Sequence, residues 1–377
     1  MKIFKILLIA CTVLLLVLPF HAEETTDAEL YRADEFDADS ILDALPDEVK
    51  ERLPDGDIFS GDDFSESFSA DYFFSLIKDT FVSLLSPELK TLSVTLGLIL
   101  TASALSALKG VVHSGAMVSL FEFLSGLCIM ITLYENAAVL VKSVQAYLYR
   151  LTGLVGVMVP VMISIGTAGG SVTSSAASAN AMMLALAFVE TLASQVLFPI
   201  LQLCFGLSAA SGIGTGVKLG GISKLVRGTL TWVIALIGAI ISAVMTFQTS
   251  IAARADSLSM RAVKFAASHT VPVVGGMASD AVGTVASSLS LVKSTVGWVG
   301  VIIIAILTLP VILNILLTRL GISISESAAD VIGLEREKNM LSEMSGLLGF
   351  LVAVCVIAAL MFIYALAVFA KSAAALE

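Results

Sequence analysis

The chain has 377 residues, of which 57% are hydrophobic and only 14% charged, with a mean hydropathy of +0.98. A soluble domain so apolar would lack the polar surface that keeps a protein in solution. The net charge of −10 is unevenly spread: Glu23 to Asp71 holds eighteen acidic residues against Arg32, Lys50 and Arg52, a net of −15, which leaves +5 for everything else. With no dense basic patch, nucleic acid is excluded as a partner.

Residues 1–22 read as an export signal. Lys2 and Lys5 form the positive start, Ile6 to Leu18 the apolar stretch, and Pro19-Phe20-His21-Ala22 leads into Glu23-Glu24. The residue three before a cut at Ala22 is Phe20, which departs from the small-residue rule, and an uncut anchor is the alternative. Residues 23–75 then form an acidic exported segment, partly disordered, whose short helical turns are broken by Pro46, Pro54 and Gly56. Its reading is either a solvated linker or a docking segment. From Tyr72 to Leu85 the residues Phe73, Phe74, Ile77, Phe81 and Leu84 recur at helical spacing. This predicts an interfacial amphipathic helix over 76–90, ahead of a transmembrane domain over 91–371.

Within that domain eight apolar segments stand out, near 91–108, 116–141, 148–168, 180–206, 229–251, 270–291, 295–318 and 346–370. The sixth is rich in Gly, Ser and Ala and carries Asp280, so it either spans or re-enters. The predicted fold is an all-α polytopic membrane protein of about six to eight transmembrane helices, with membrane lipid as its surroundings. Short loops decide orientation through Lys and Arg. With eight passes and an exported N-terminus the count ties at seven residues on each side.

An internal duplication would explain the tie. Val159-Pro160-Val161 precedes Gly169-Gly170, and Val271-Pro272-Val273 precedes Gly275-Gly276, with the prolines 112 residues apart. Pro199 and Pro310 are 111 apart, as are Arg150 and Arg261. These spacings suggest two inverted three-helix repeats, about 116–228 and 229–345. Paired Pro- and Gly-interrupted segments in inverted halves point to a central path in transporters, since the backbone groups they free are tolerated only in protein or against water.

No catalytic constellation is present. His21, His113 and His269 are far apart, and Cys11, Cys128, Cys204 and Cys355 lie singly in apolar runs without metal spacing. No metal, no cofactor and no reaction is predicted. Gly212-Ile213-Gly214-Thr215-Gly216-Val217-Lys218 lacks the spacing of a phosphate loop and reads as a flexible loop. Ionisable groups in apolar segments carry more information, because their burial is costly. Glu190 and Asp280 are the two with a path role in view; helix-to-helix hydrogen bonding is the plainer reading. The candidate path residues are therefore Pro160, Gly169, Gly170, Glu190, Pro272, Gly275, Gly276 and Asp280. Ser325 to Glu343 is polar and reads as one amphipathic helix.

The stretch Arg261-Ala262-Val263-Lys264-Phe265-Ala266, followed by Val271-Pro272-Val273-Val274-Gly275-Gly276-Met277-Ala278-Ser279-Asp280-Ala281-Val282, resembles the stage III sporulation protein AE family of endospore-forming bacteria. The order of signal, acidic segment and multi-span body is similar to that family as well. The resemblance implies a role in sporulation and no reaction. It implies membership of the stage III sporulation A complex in the mother-cell membrane around the forespore. It also implies contact, through that complex, with stage II sporulation protein Q, and energy from an ATPase of the same operon. The family supplies no catalytic residues to carry over.

Overall fold

A computed structural model describes residues 47–53, 70–107, 115–168, parts of 180–243, and 275–374. Among the described residues every regular element is helical. In chain order these are α1 (Asp47–Lys50), α2 (Ala70–Ala107), α3 (Gly115–Ala168), a π turn (Ala193–Leu197) running into α4 (Phe198–Gly212), α5 (Gly228–Ala239), α6 (Gly275–Ile332) and α7 (Glu335–Ala374). Five stretches are long and apolar enough to cross a bilayer: 71–107, 123–164, 183–208, 299–332 and 335–363. The shorter apolar α5 adds to them. The all-α polytopic class expected from the sequence is the class observed.

Three joins differ from the sequence reading. The segments at 116–141 and 148–168 form one helix, α3. Lys142-Ser143-Val144-Gln145-Ala146-Tyr147 contains neither Gly nor Pro, and a single charged residue removes no backbone hydrogen bond. Likewise 295–318 continues without a break from Gly275 to Ile332. At 1.5 Å per residue α3 is about 80 Å long and α6 nearly 90 Å. Both exceed the roughly 30 Å hydrocarbon layer, so they extend into the headgroups or beyond. The stretch at 76–90 likewise shares the single helix α2 with the first apolar segment, and Pro87 is accommodated inside it.

The amphipathic helix expected over 325–343 is instead a helical hairpin, broken at Gly333. Gly333 has φ of 82°, a left-handed conformation that costs a side chain-bearing residue about 1 kcal/mol or more. The Gly333 amide donates to the Asp330 carbonyl at 3.1 Å and the Leu334 amide to the Ala329 carbonyl at 2.9 Å. This pair of bonds is the Schellman closure, which satisfies the last carbonyls of α6. Lys338 Nζ then reaches Asp330 at 2.6 Å and Glu335 at 3.8 Å across the turn. Both pairs are solvent-facing and contribute little to stability.

Helix directions follow from side-chain pairs. Tyr147 of α3 meets Thr308 of α6, and Met158 meets Gly300, so α3 and α6 are antiparallel. Glu88 of α2 meets Thr318 and Leu92 lies against Gly321, so α2 runs parallel to α6. Arg319 packs on Ser345 and Gly349, and Gly300 on Leu366, as the α6–α7 hairpin requires. The core lies between α6, α7 and α3. Ile303, Ile304, Leu347, Leu351, Phe362, Val155 and Met162 are all sealed inside it. Outside the hairpin, Val49 of α1 is buried, Arg52 Nη1 donates to Thr80 Oγ1 at 3.1 Å, and the Tyr72 hydroxyl donates to the Arg52 carbonyl at 2.6 Å. The end of the acidic segment is thereby pinned to the first half of α2.

Candidate functional site

Polar side chains inside the bundle gather at three places. The first is the seam of α3, α6 and α7. On α3, Leu140, Val144, Tyr147, Leu151 and Leu154 recur at helical spacing and all are buried. Tyr147 thus enters the core with a hydroxyl that needs partners. It lies 3.0 Å from Thr308 Oγ1 and donates toward the Cys355 carbonyl at 3.4 Å, while Thr308 Oγ1 donates to the Ile304 carbonyl at 2.6 Å. A buried hydroxyl without partners would cost about 1–3 kcal/mol, so the bonds fix one register of three helices. Cys204 and Cys355 are buried packing residues, as read from their apolar runs, whereas Cys128 is exposed. Cys11 lies outside the described residues.

The second place joins Glu190 to α3. Thr152 Oγ1 donates to Glu190 Oε2 at 2.7 Å, and the carboxylate is half-buried. Three residues on, the helix widens into the π turn Ala193–Leu197 just before Pro199. Proline at 199 has no amide to donate, so the preceding turn is released from its regular bonding, which is where π turns form. Pro310, its counterpart in the suggested duplication, sits within an unbroken α6.

The third is a polar belt near the hairpin. Thr318 Oγ1 donates to Glu88 Oε1 at 2.8 Å, Ser208 Oγ donates to Glu343 Oε2 at 2.8 Å, and Arg319 Nε donates to Ser345 Oγ at 3.4 Å. Ser323 Oγ lies 3.5 Å from Ser345 Oγ. Four helices, α2, α4, α6 and α7, contribute to the belt.

The residues singled out in the sequence are not brought together by the described structure. Pro160 is an exposed residue inside α3. Glu190 bonds Thr152 on the same helix, eight residues before Pro160. Gly275, Gly276 and Asp280 lie on the first turns of α6. Gly169, Gly170 and Pro272 lie outside the described residues, as do His21, His113 and His269. Sequence reading passed over Tyr147, Glu88, Thr318, Arg319 and Ser345. Tyr147 carried a signal, the buried stripe of α3. Arg319 carried another, as the first charge after an uncharged run. Glu88 did not, since its partner is 230 residues away. Among the described residues no group of three or more His, Cys, Asp or Glu could hold a metal ion.

A helical body with several membrane-crossing helices and hydroxyl-to-carboxylate bonds between them defines a polytopic membrane protein. The model of the stage III sporulation protein AE family matches residues 60–373, and the chain belongs to that family. A relative from Bacillus subtilis (strain 168), named stage III sporulation protein AE, is 28% identical over 163 residues. That match covers 43% of this chain and 41% of the relative's own length. No solved structure matches.

Proposed function

We propose that the chain is a membrane subunit of the sporulation channel or secretion-like complex linking mother cell and forespore, and that its helical body is the permease or export-gate component. The observation that carries this reading is the family match over 60–373, which takes in the helical body from α2 to α7. The proposed partners are the other stage III sporulation A proteins and, through them, stage II sporulation protein Q. The proposed place is the mother-cell membrane around the forespore, where the complex serves late forespore development.

Helix directions support a sidedness for this role. The acidic segment ends against the start of α2, so an exported segment sets the N-terminal end of α2 outside. α2 then runs inward and α3 outward. Because α6 is parallel to α2, an even number of passes lies between α3 and α6; with 183–208 taken as one, the region of α5 supplies the second. Six passes follow, with the α6–α7 hairpin inside and the C-terminus outside. Lys218, Lys224 and Arg227 move to the inner side with Lys109, Arg319, Arg336 and Lys338. Arg254, Arg261 and Lys264 move to the outer side with Lys293 and Lys371, and Lys142 and Arg150 fall within α3, so seven stand against five, as the positive-inside rule favours.

A secondary transporter of a small solute or lipid is the second reading, favoured by the half-buried Glu190 and its bond to Thr152. Purification of the tagged full chain from sporulating cells separates the two. A complex subunit brings down the other sporulation membrane proteins, and in liposomes alone it moves no solute. Uptake by the chain alone, lost in Glu190→Gln, would replace the first reading with the second.

A further inference from the structure

We infer that Arg319 and the two serines beside it form a binding site for a phosphodiester, that of a membrane phospholipid headgroup. The inference does not depend on the role proposed above. It starts from an excess of donors. The Arg319 guanidinium has five N–H groups, and its hydrogen bond to the protein uses one, Nε to Ser345 Oγ. Ser323 and Ser345 have two hydroxyl protons between them, and their mutual contact at 3.5 Å uses one. Four guanidinium N–H groups and one hydroxyl are left over.

Among the described residues no carboxylate is paired with them. Glu88 accepts from Thr318, Glu343 accepts from Ser208, and Asp330 and Glu335 pair with Lys338. The nearby carboxylates therefore stand off the guanidinium, which is half-buried and loses water without gaining a counter-charge. A planar fork of this kind is matched by an anion with two or more acceptor oxygens.

Position selects the anion. Val296 to Leu317 contains no charged residue and rises about 33 Å, the thickness of the hydrocarbon layer. Arg319 follows two residues later, at the depth of the lipid phosphates. The cradle is built for the side chain as well. A Cβ at Gly349 would lie 3.5 Å from Arg319 Nη1, 3.8 Å from Cζ and 4.0 Å from Nη2, so the guanidinium lies flat over the bare backbone of α7. A methyl fits there; a larger side chain does not.

The test is native mass spectrometry of the full chain in detergent, titrated with phosphatidylglycerol and, separately, with diacylglycerol, which lacks the phosphate. The expected result is retention of phosphatidylglycerol and not of diacylglycerol. Arg319→Gln and Gly349→Leu should each weaken retention about tenfold, the size of a lost charged fork. Arg319→Lys should fall between, since it keeps charge and loses the fork. Arg319→Gln needs no refolding of the core, and an unchanged elution profile shows that it stays folded. Equal retention in wild type and in folded Arg319→Gln overturns the site. Displacement of the lipid by millimolar inorganic phosphate, bound equally well alone, overturns the headgroup as its source.

Discussion

The α6–α7 hairpin and α2 are both long apolar helices, yet they sit in the molecule differently. In the most apolar stretch of α6, 61% of residues are buried inside the protein, and in that of α7 56%. In α2 the share is 17%. The hairpin is walled by protein on most sides; α2 turns Phe81, Val82, Leu89, Val94 and Leu100 outward. Apolarity in a membrane protein therefore does not mark the core. Lipid is as greasy as the interior, and packing and polar bonds decide which helix is central.

The sharpest way to break the contrast is a cavity in the hairpin. Phe362 is fully buried on α7, and Phe362→Ala should cost about 3–5 kcal/mol, read as a lower unfolding midpoint in detergent. Overpacking comes next. A Cβ at Gly300 would stand 2.5 Å from Met158 Cε and 2.8 Å from Leu366 Cδ1. Both are ends of flexible side chains, so Gly300→Ala should be mild. Gly300→Leu should cost about 1–3 kcal/mol, and Met158→Ala in the same chain should restore part of it. Tyr147→Phe removes the hydroxyl from the three-helix seam and should cost about 1 kcal/mol, because Thr308 keeps its bond to Ile304. At the other end of the scale, Leu100→Ala on the outer face of α2 should shift the midpoint by less than about 0.5 kcal/mol. Equal losses for Phe362→Ala and Leu100→Ala would erase the distinction between the two regions.

Fold class was legible from the length of the apolar runs alone. Where one apolar segment joins the next was not, because hydropathy marks a dip at Lys142 whether or not the helix stops there. What decides is the backbone, and nothing in 142–147 interrupts it. The break at Gly333 is the converse case. A single glycine inside a polar, helical pattern is a weak signal until its positive φ and its two closing bonds are seen. Candidate residues were legible where chemistry stood out against apolar neighbours, as Glu190 does. The Glu88–Thr318 and Tyr147–Thr308 pairs depend on tertiary contact across 230 and 161 residues, and no local pattern announces such partners.

The proposed six passes, with α3 crossing once, would set where every loop lies, and one residue distinguishes this from eight. Ser223 lies in sequence between α4 and α5, near Lys218, Lys224 and Arg227. In a cysteine-free chain expressed in non-sporulating cells, Ser223→Cys should resist a membrane-impermeant thiol reagent while the cells are intact and react after lysis, and Ser65→Cys in the acidic segment should react in both. Labelling of both positions from outside would contradict the single crossing of α3 and the sidedness built on it.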